Sequence, residues 1–167
     1  VDNAKKLNKA VALAGINKMG CNFDDEILEK YFMIANQHAH VIDEFNEFME
    51  EEIYQMMVAT TEDQNELILE NTTTLKVARW WDKACDIIPC NGGKDIGIQK
   101  ILDYYNFNKE EAMAFGDGGN DISMLKYVGT GVAMGNAKDD VKAIADYITD
   151  SVQEDGIVSA LKHFNII

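Results

Sequence analysis

The stretch Gly116-Asp117-Gly118-Gly119-Asn120-Asp121 constrains this chain more than any other. A short apolar run, Ala112-Met113-Ala114-Phe115, leads into it, and a segment of helical spacing, Ile122 to Val128, leaves it. The pattern is a strand, a glycine-rich turn holding two carboxylates, then a helix. Glycines let the backbone turn tightly and approach a ligand closely. Carboxylates at the end of a parallel strand are hard oxygen ligands suited to Mg²⁺, and the start of the following helix favours an anion. Together these features describe a magnesium and phosphate site.

The surrounding sequence supplies a matching frame. Lys94 to Tyr105 places Ile96, Ile98, Ile101, Leu102 and Tyr105 at a helical period. Strands are predicted at Ala112–Gly116, Gly131–Met134 and Tyr147–Thr149, and helices at Asp121–Val128, Lys138–Ala145 and Gly156–Phe164. Strand and helix in alternation imply a parallel sheet with helices on its faces. Ligands then bind beyond the carboxyl ends of the strands, where Asp117 falls.

GDGGNDISML resembles the fourth motif of the haloacid dehalogenase superfamily, in particular its Cof-type phosphatases, which carry GDGxND followed by two residues and Met-Leu. Gly131-Val-Ala-Met-Gly-Asn-Ala137 is similar to that family's next strand and turn, and Glu154-Asp155-Gly156-Ile157 to its closing segment. Gly93-Lys94-Asp95, opening a helix, resembles the third motif, although the family often has Val-Ser or a similar pair where this chain has Gly92-Gly93. The resemblance runs from about Asp86 to Ile167. It implies an α/β fold: the C-terminal half of a Rossmann-like, doubly wound parallel sheet, accompanied by an α+β cap fragment.

The family's first motif, an Asp-x-Asp whose first Asp is the nucleophile, has no counterpart here. Asp24-Asp25 and Asp139-Asp140 are adjacent rather than spaced by one. The second motif, a Ser or Thr ending a strand, is not placed either. The chain starts at Val1 and is expected to be the C-terminal portion of a longer protein, inactive by itself.

Mixed helix and strand signals fill the first part: strands at Lys9 to Ile16, Ile53 to Thr60 and Thr74 to Trp81, and helices from Asp24-Asp25-Glu26 through Ile34, from Asp43 through Met49 and from Thr61 through Leu69. This segment resembles the cap that Cof-type enzymes insert between motifs two and three. Residues 1–82 are therefore assigned to a partial cap and 83–167 to the core, with the boundary near the single proline, Pro89.

The resemblance implies a role for each residue of the site. Asp117 binds Mg²⁺ directly. Asp121, four residues on, supports the metal or holds the lysine of the third motif. Asn120 hydrogen-bonds the substrate phosphate; its residue type alone also suits a helix N-cap. Lys94 offsets the charge gathered by nucleophile, phosphoryl group and carboxylates. Arg79, beside Trp80 and Trp81 on a cap strand, is the first candidate for contact with the leaving group. The expected activity is Mg²⁺-dependent hydrolysis of small phosphorylated metabolites, sugar phosphates foremost, through an aspartyl-phosphate. A phosphotransferase or phosphomutase of the same superfamily, and a phosphate- and metal-binding module without turnover, are the alternatives.

Composition narrows the partners. Among 167 residues, 29 acidic against 15 basic side chains leave a net charge of −14. Nucleic acid and anionic membranes require a positive footprint and are excluded as expected partners. A small phosphorylated substrate is met locally and is not. Three cysteines without metal-site spacing read as reduced cytoplasmic thiols. His38 and His40 lack further ligands nearby, so zinc is not expected. Without the nucleophile strand, Ala112–Gly116 would carry an unpaired apolar edge, which invites self-association.

Overall fold

The computed structural model describes residues 1–167 and divides into two compact units, Val1–Asn91 and Gly92–Ile167.

The first unit is built on a five-stranded antiparallel sheet. Its strands are β1 (Val11–Gly15), β2 (Met19–Cys21), β3 (Ile53–Val58), β4 (Leu75–Trp81) and β5 (Ala84–Pro89), in the spatial order β2-β1-β3-β5-β4. Successive side chains of a strand point to opposite faces, and here both faces are covered. Val11, Leu13, Val58, Cys85 and Ile87 pack with Phe45 and Phe48 of the short helix α3 (Phe45–Phe48) and with Ile68 of α4 (Asn65–Ile68). Ala10, Ala12, Met57 and Ala84 pack on the other side with Leu28, Tyr31 and Phe32 of α2 (Glu26–Ile34). That is why the run around Val11 is apolar throughout rather than alternating. Helix α2 begins where the carboxylates predicted, with Asp25 Oδ1 accepting from the amides of Ile27 at 2.8 Å and Leu28 at 2.9 Å. A further short helix, α1 (Asp2–Lys6), precedes the sheet.

One boundary moves. The expected break after residue 82 falls inside a β-hairpin: Asp82-Lys83 is the turn that joins β4 to β5, with Trp81 opposite Ala84. Strand β5 pairs with both β3 and β4, so residues 84–89 belong to the first unit, and the chain divides after Asn91 instead. The polar Asp86 in the middle of β5 and Pro89 at its end conceal the strand in the sequence.

The second unit follows the predicted alternation closely. Helix α5 (Lys94–Tyr105) precedes β6 (Met113–Gly116), which is followed by α6 (Ile122–Tyr127), β7 (Thr130–Ala133), α7 (Asp139–Lys142), β8 (Tyr147–Ile148) and α8 (Gly156–His163). The strands form a parallel sheet in the order β6-β7-β8, with Phe115 opposite Val132 and Ala133 opposite Ile148. Ala114, Leu125, Val128, Ala133, Ala137 and Val141 make its core. Strand β6 pairs only with β7, so its other edge is unpaired in this chain. Helix α5 buries none of its residues; Ile101 is 60% exposed and Tyr104 78%.

Candidate active site

The site forms at the carboxyl end of β6. The strand stops at Gly116, a tight 3-10 turn covers Gly119–Asp121, and α6 follows at once. Gly116 is required here, because a Cβ on it would come within 2.6 Å of the Asp121 Cβ. The close approach lets Asp121 fold back under its own turn. Its Oδ2 accepts from the amides of Asp117 at 3.0 Å and Gly118 at 3.1 Å, and its Oδ1 accepts from Lys94 Nζ in a tight ion pair. The Asp121 side chain is 7% exposed and that of Lys94 49%. A buried carboxylate is tolerable when paired and hydrogen-bonded in this way.

Asp121 thus pairs with Lys94 and shapes the turn, and both of its oxygens are engaged. Asp117, by contrast, is exposed at the tip of the strand, with Oδ2 accepting from Asn136 Nδ2 at 2.8 Å. Asn120 lies half-buried in the middle of the turn. It caps neither helix, since those positions fall to Gly118 and Asp121.

Lys94 opens α5 directly after Gly93, whose φ of 134° lies where residues with a side chain are strained. The Gly92-Gly93 departure from the family pattern therefore makes the turn that delivers the lysine. Ser123 Oγ donates to Asp95 Oδ1 at 3.1 Å and ties the first turn of α5 to α6.

Nowhere in the chain do three His, Cys, Asp or Glu side chains gather as a closed metal cage. Mg²⁺ does not need one. It binds through one or two carboxylates together with waters and substrate phosphate. An exposed carboxylate at a strand end beside a helix start fits such an open site, and Asp117 is the residue that would hold the ion.

Arg79 is placed differently from its expected role. It sits at a β-bulge of β4, between Ala78 and Trp81. Its Nη1 donates to the carbonyls of Thr60 at 2.7 Å, Ala84 at 3.1 Å and Trp81 at 3.3 Å, and its Nη2 to Asn65 Oδ1 at 2.8 Å. Nη1 and Nη2 are committed to these acceptors rather than presented to a ligand, while the buried Nε has no partner.

On the α2 side of the same sheet, Tyr31 Oη donates to Asp86 in a short bond and accepts from Trp80 Nε1 at 2.8 Å. Burial, then the neighbouring Asp86 carboxylate, push the Tyr31 hydroxyl well above its usual range. This network is internal packing. Trp80 and Trp81 both lie against Tyr31.

Sequence reasoning missed Asn136. It sits inside the Gly131–Ala137 stretch, and the signal that could have singled it out is an amide placed just beyond the parallel strand next to β6.

The fold and the glycine-rich turn define a haloacid dehalogenase-type α/β architecture, and comparison with known proteins agrees. The model of the haloacid dehalogenase-like hydrolase family matches residues 1–161, and the chain belongs to that family. It is 40% identical to YkrA of Bacillus subtilis over 116 residues, covering 70% of this chain and 45% of YkrA. It is 47% identical over 79 residues to the 5-amino-6-(5-phospho-D-ribitylamino)uracil phosphatase YitU of the same organism, covering 47% of this chain and 29% of YitU. Among solved structures it resembles the subclass IIB sugar phosphatase BT4131, with a TM-score of 0.90 and 35% identity across 99% of this chain and 64% of that one. The chain thus spans less than two thirds of the length of each of these relatives. None of its helices is long and apolar enough to cross a membrane.

Proposed function

We propose that this chain is the metal- and phosphate-binding half of a Mg²⁺-dependent phosphatase of small phosphorylated metabolites, sugar phosphates foremost. The observation that carries the reading is the division of labour at the end of β6. Asp121 is buried and fully engaged, which leaves Asp117 exposed as the metal carboxylate. The identities of BT4131 and YitU support a phosphate monoester as substrate.

Bound at Asp117, Mg²⁺ would offset charge on the phosphate oxygens and orient the phosphorus for in-line attack. Lys94 Nζ, held by Asp121, places a second positive charge at the same strand end. The Asn120 amide donates to a phosphate oxygen without adding charge. In the complete reaction the phosphoryl group passes from the ester oxygen to an Asp carboxylate, and the alcohol leaves with a proton. Water then attacks phosphorus, releasing inorganic phosphate and restoring the carboxylate. The nucleophilic Asp is not among the residues of this site, so the chain alone should not turn over. The first unit is the part assigned to substrate choice, and the cytoplasm, a reducing compartment, suits its three free thiols.

Assay of p-nitrophenyl phosphate and a sugar-phosphate panel tests this reading. The 167-residue chain should show no turnover above its Asp117→Ala variant. In a full-length protein containing it, Asp117→Asn should lower kcat by about 10²-fold or more and weaken activation by Mg²⁺. An unchanged Mg²⁺ requirement in Asp117→Asn would remove Asp117 as the metal ligand.

A further inference from the structure

Asn136 lies in the loop after β7 and bridges two segments that are distant in sequence. Its Nδ2 donates to Asp117 Oδ2 at 2.8 Å, and its Oδ1 accepts from the amide of Val152 at 3.0 Å. The orientation of the amide is forced. The Val152 N–H can only donate, so the atom facing it is the oxygen, and the NH₂ must face Asp117.

Both ends of the bridge are braced. Gly135, the residue before, donates its N–H to the Asp150 carbonyl at 3.0 Å. Val152 begins a 3-10 turn closed by Ser151 Oγ donating to Glu154 Oε2 at 2.7 Å. Behind that turn, Thr149 Oγ1 donates to the Gly156 carbonyl at 2.6 Å, and a Cβ on Gly156 would meet the Asp150 carbonyl at 2.0 Å. The loop therefore has little room to shift.

Asp117 is exposed and needs no partner to keep its charge solvated. A hydrogen bond from a braced amide to one of its oxygens does something else: it selects one orientation of a carboxylate that would otherwise rotate in water.

We propose that Asn136 is a positioning residue for Asp117, fixing the carboxylate for metal binding through the braced 150–156 segment. The inference rests on the reading of Asp117 as the metal ligand. It also gives the closing segment Glu154-Asp155-Gly156-Ile157 a role, since that segment braces the loop that carries the Val152 amide.

The test uses the 167-residue chain and Mn²⁺ as the probe, with paramagnetic broadening of the Gly118 and Gly119 amides reporting occupancy of the site. Asn136→Ala should weaken Mn²⁺ binding there by about tenfold, with a Tm within about 3 °C of the parent chain. Asn136→Ser, too short to reach both partners, should weaken it comparably. Ser123→Ala, which cuts the tie to Asp95 without touching Asp117, should leave binding unchanged. Equal Mn²⁺ affinity in both Asn136 variants overturns the inference while leaving Asp117 as the ligand. An equal loss in Ser123→Ala overturns it too, by showing that any loosening of the site suffices. Absence of broadening at Gly118 and Gly119 in the unmodified chain removes the metal reading itself, and the inference with it.

Discussion

Arg79 in the first unit and Lys94 in the second are both anchored, and the two anchors behave in opposite ways. In the first unit Arg79 donates to three main-chain carbonyls and one amide oxygen, all within its own sheet and the adjoining loops. In the second, Lys94 reaches a single buried carboxylate while its side chain stays half exposed at a strand end. The difference follows from the sheets. An antiparallel sheet covered on both faces leaves its polar groups to be satisfied internally. A parallel sheet ends all its strands on one side, where the turns into the helices collect N–H groups and carboxylates without closing over them. A charged residue therefore works as a clamp in the first setting and remains available to a ligand in the second.

Paired substitutions give the sharpest contrast. In a phosphatase that contains this chain, Lys94→Ala should lower kcat by about 10²-fold while sparing Mg²⁺ activation, and it should lower the Tm of the second unit because the buried Asp121 carboxylate loses its cation. Arg79→Ala should act on the first unit, through stability alone. It strands several carbonyls, so the first unit should lose about 2–4 kcal/mol of stability, and activity should fall alike on every substrate. Thermal unfolding and a substrate panel read both outcomes. A changed ranking among sugar phosphates at an unchanged Tm would return Arg79 to contact with the leaving group.

The edges of the two sheets differ as well. The unpaired edge of β6, together with the exposed Ile101, Tyr104 and Tyr105 on α5 of the same unit, should drive self-association of the isolated chain, seen as concentration-dependent mass by light scattering. A cooperatively unfolding monomer at all concentrations would count against it.

The smallest effect is chemical. Cys21 and Cys85 are buried, and burial raises both thiols above their usual range, whereas Cys90 is exposed. The thiolate is the reactive form, so a disulfide reagent should modify Cys90 quickly and the other two only on unfolding. Rapid modification of all three would mean that the first unit opens far more readily than its packing suggests.

The second unit was legible in the sequence almost element by element, because each of its strands is followed directly by its helix and the motif lies within one such turn. Helix α5 was found with the bounds the periodicity predicts. The first unit was less so. Its short strand β2 carries only Met19-Gly20-Cys21, and β5 is interrupted by Asp86, whose polarity makes sense only beside Tyr31. Arg79 looked like a surface group because nothing local reveals that a bulge and the loop at Thr60 leave carbonyls for it.

Within the site the same distinction holds. The sequence by itself determined the turn, its two carboxylates and the glycines that permit it, since those are neighbours along the chain and their chemistry depends on spacing alone. Tertiary structure decided which carboxylate stays exposed. Asp121 is engaged by Lys94 from 27 residues upstream, and Asp117 is oriented by Asn136 from 19 residues downstream. Such bonds depend on how β6 and β7 pair and where α5 begins. Hydrogen bonds are short-ranged and directional, so only the folded chain, which brings those distant donors to within about 3 Å of the strand end, could choose between two chemically identical side chains.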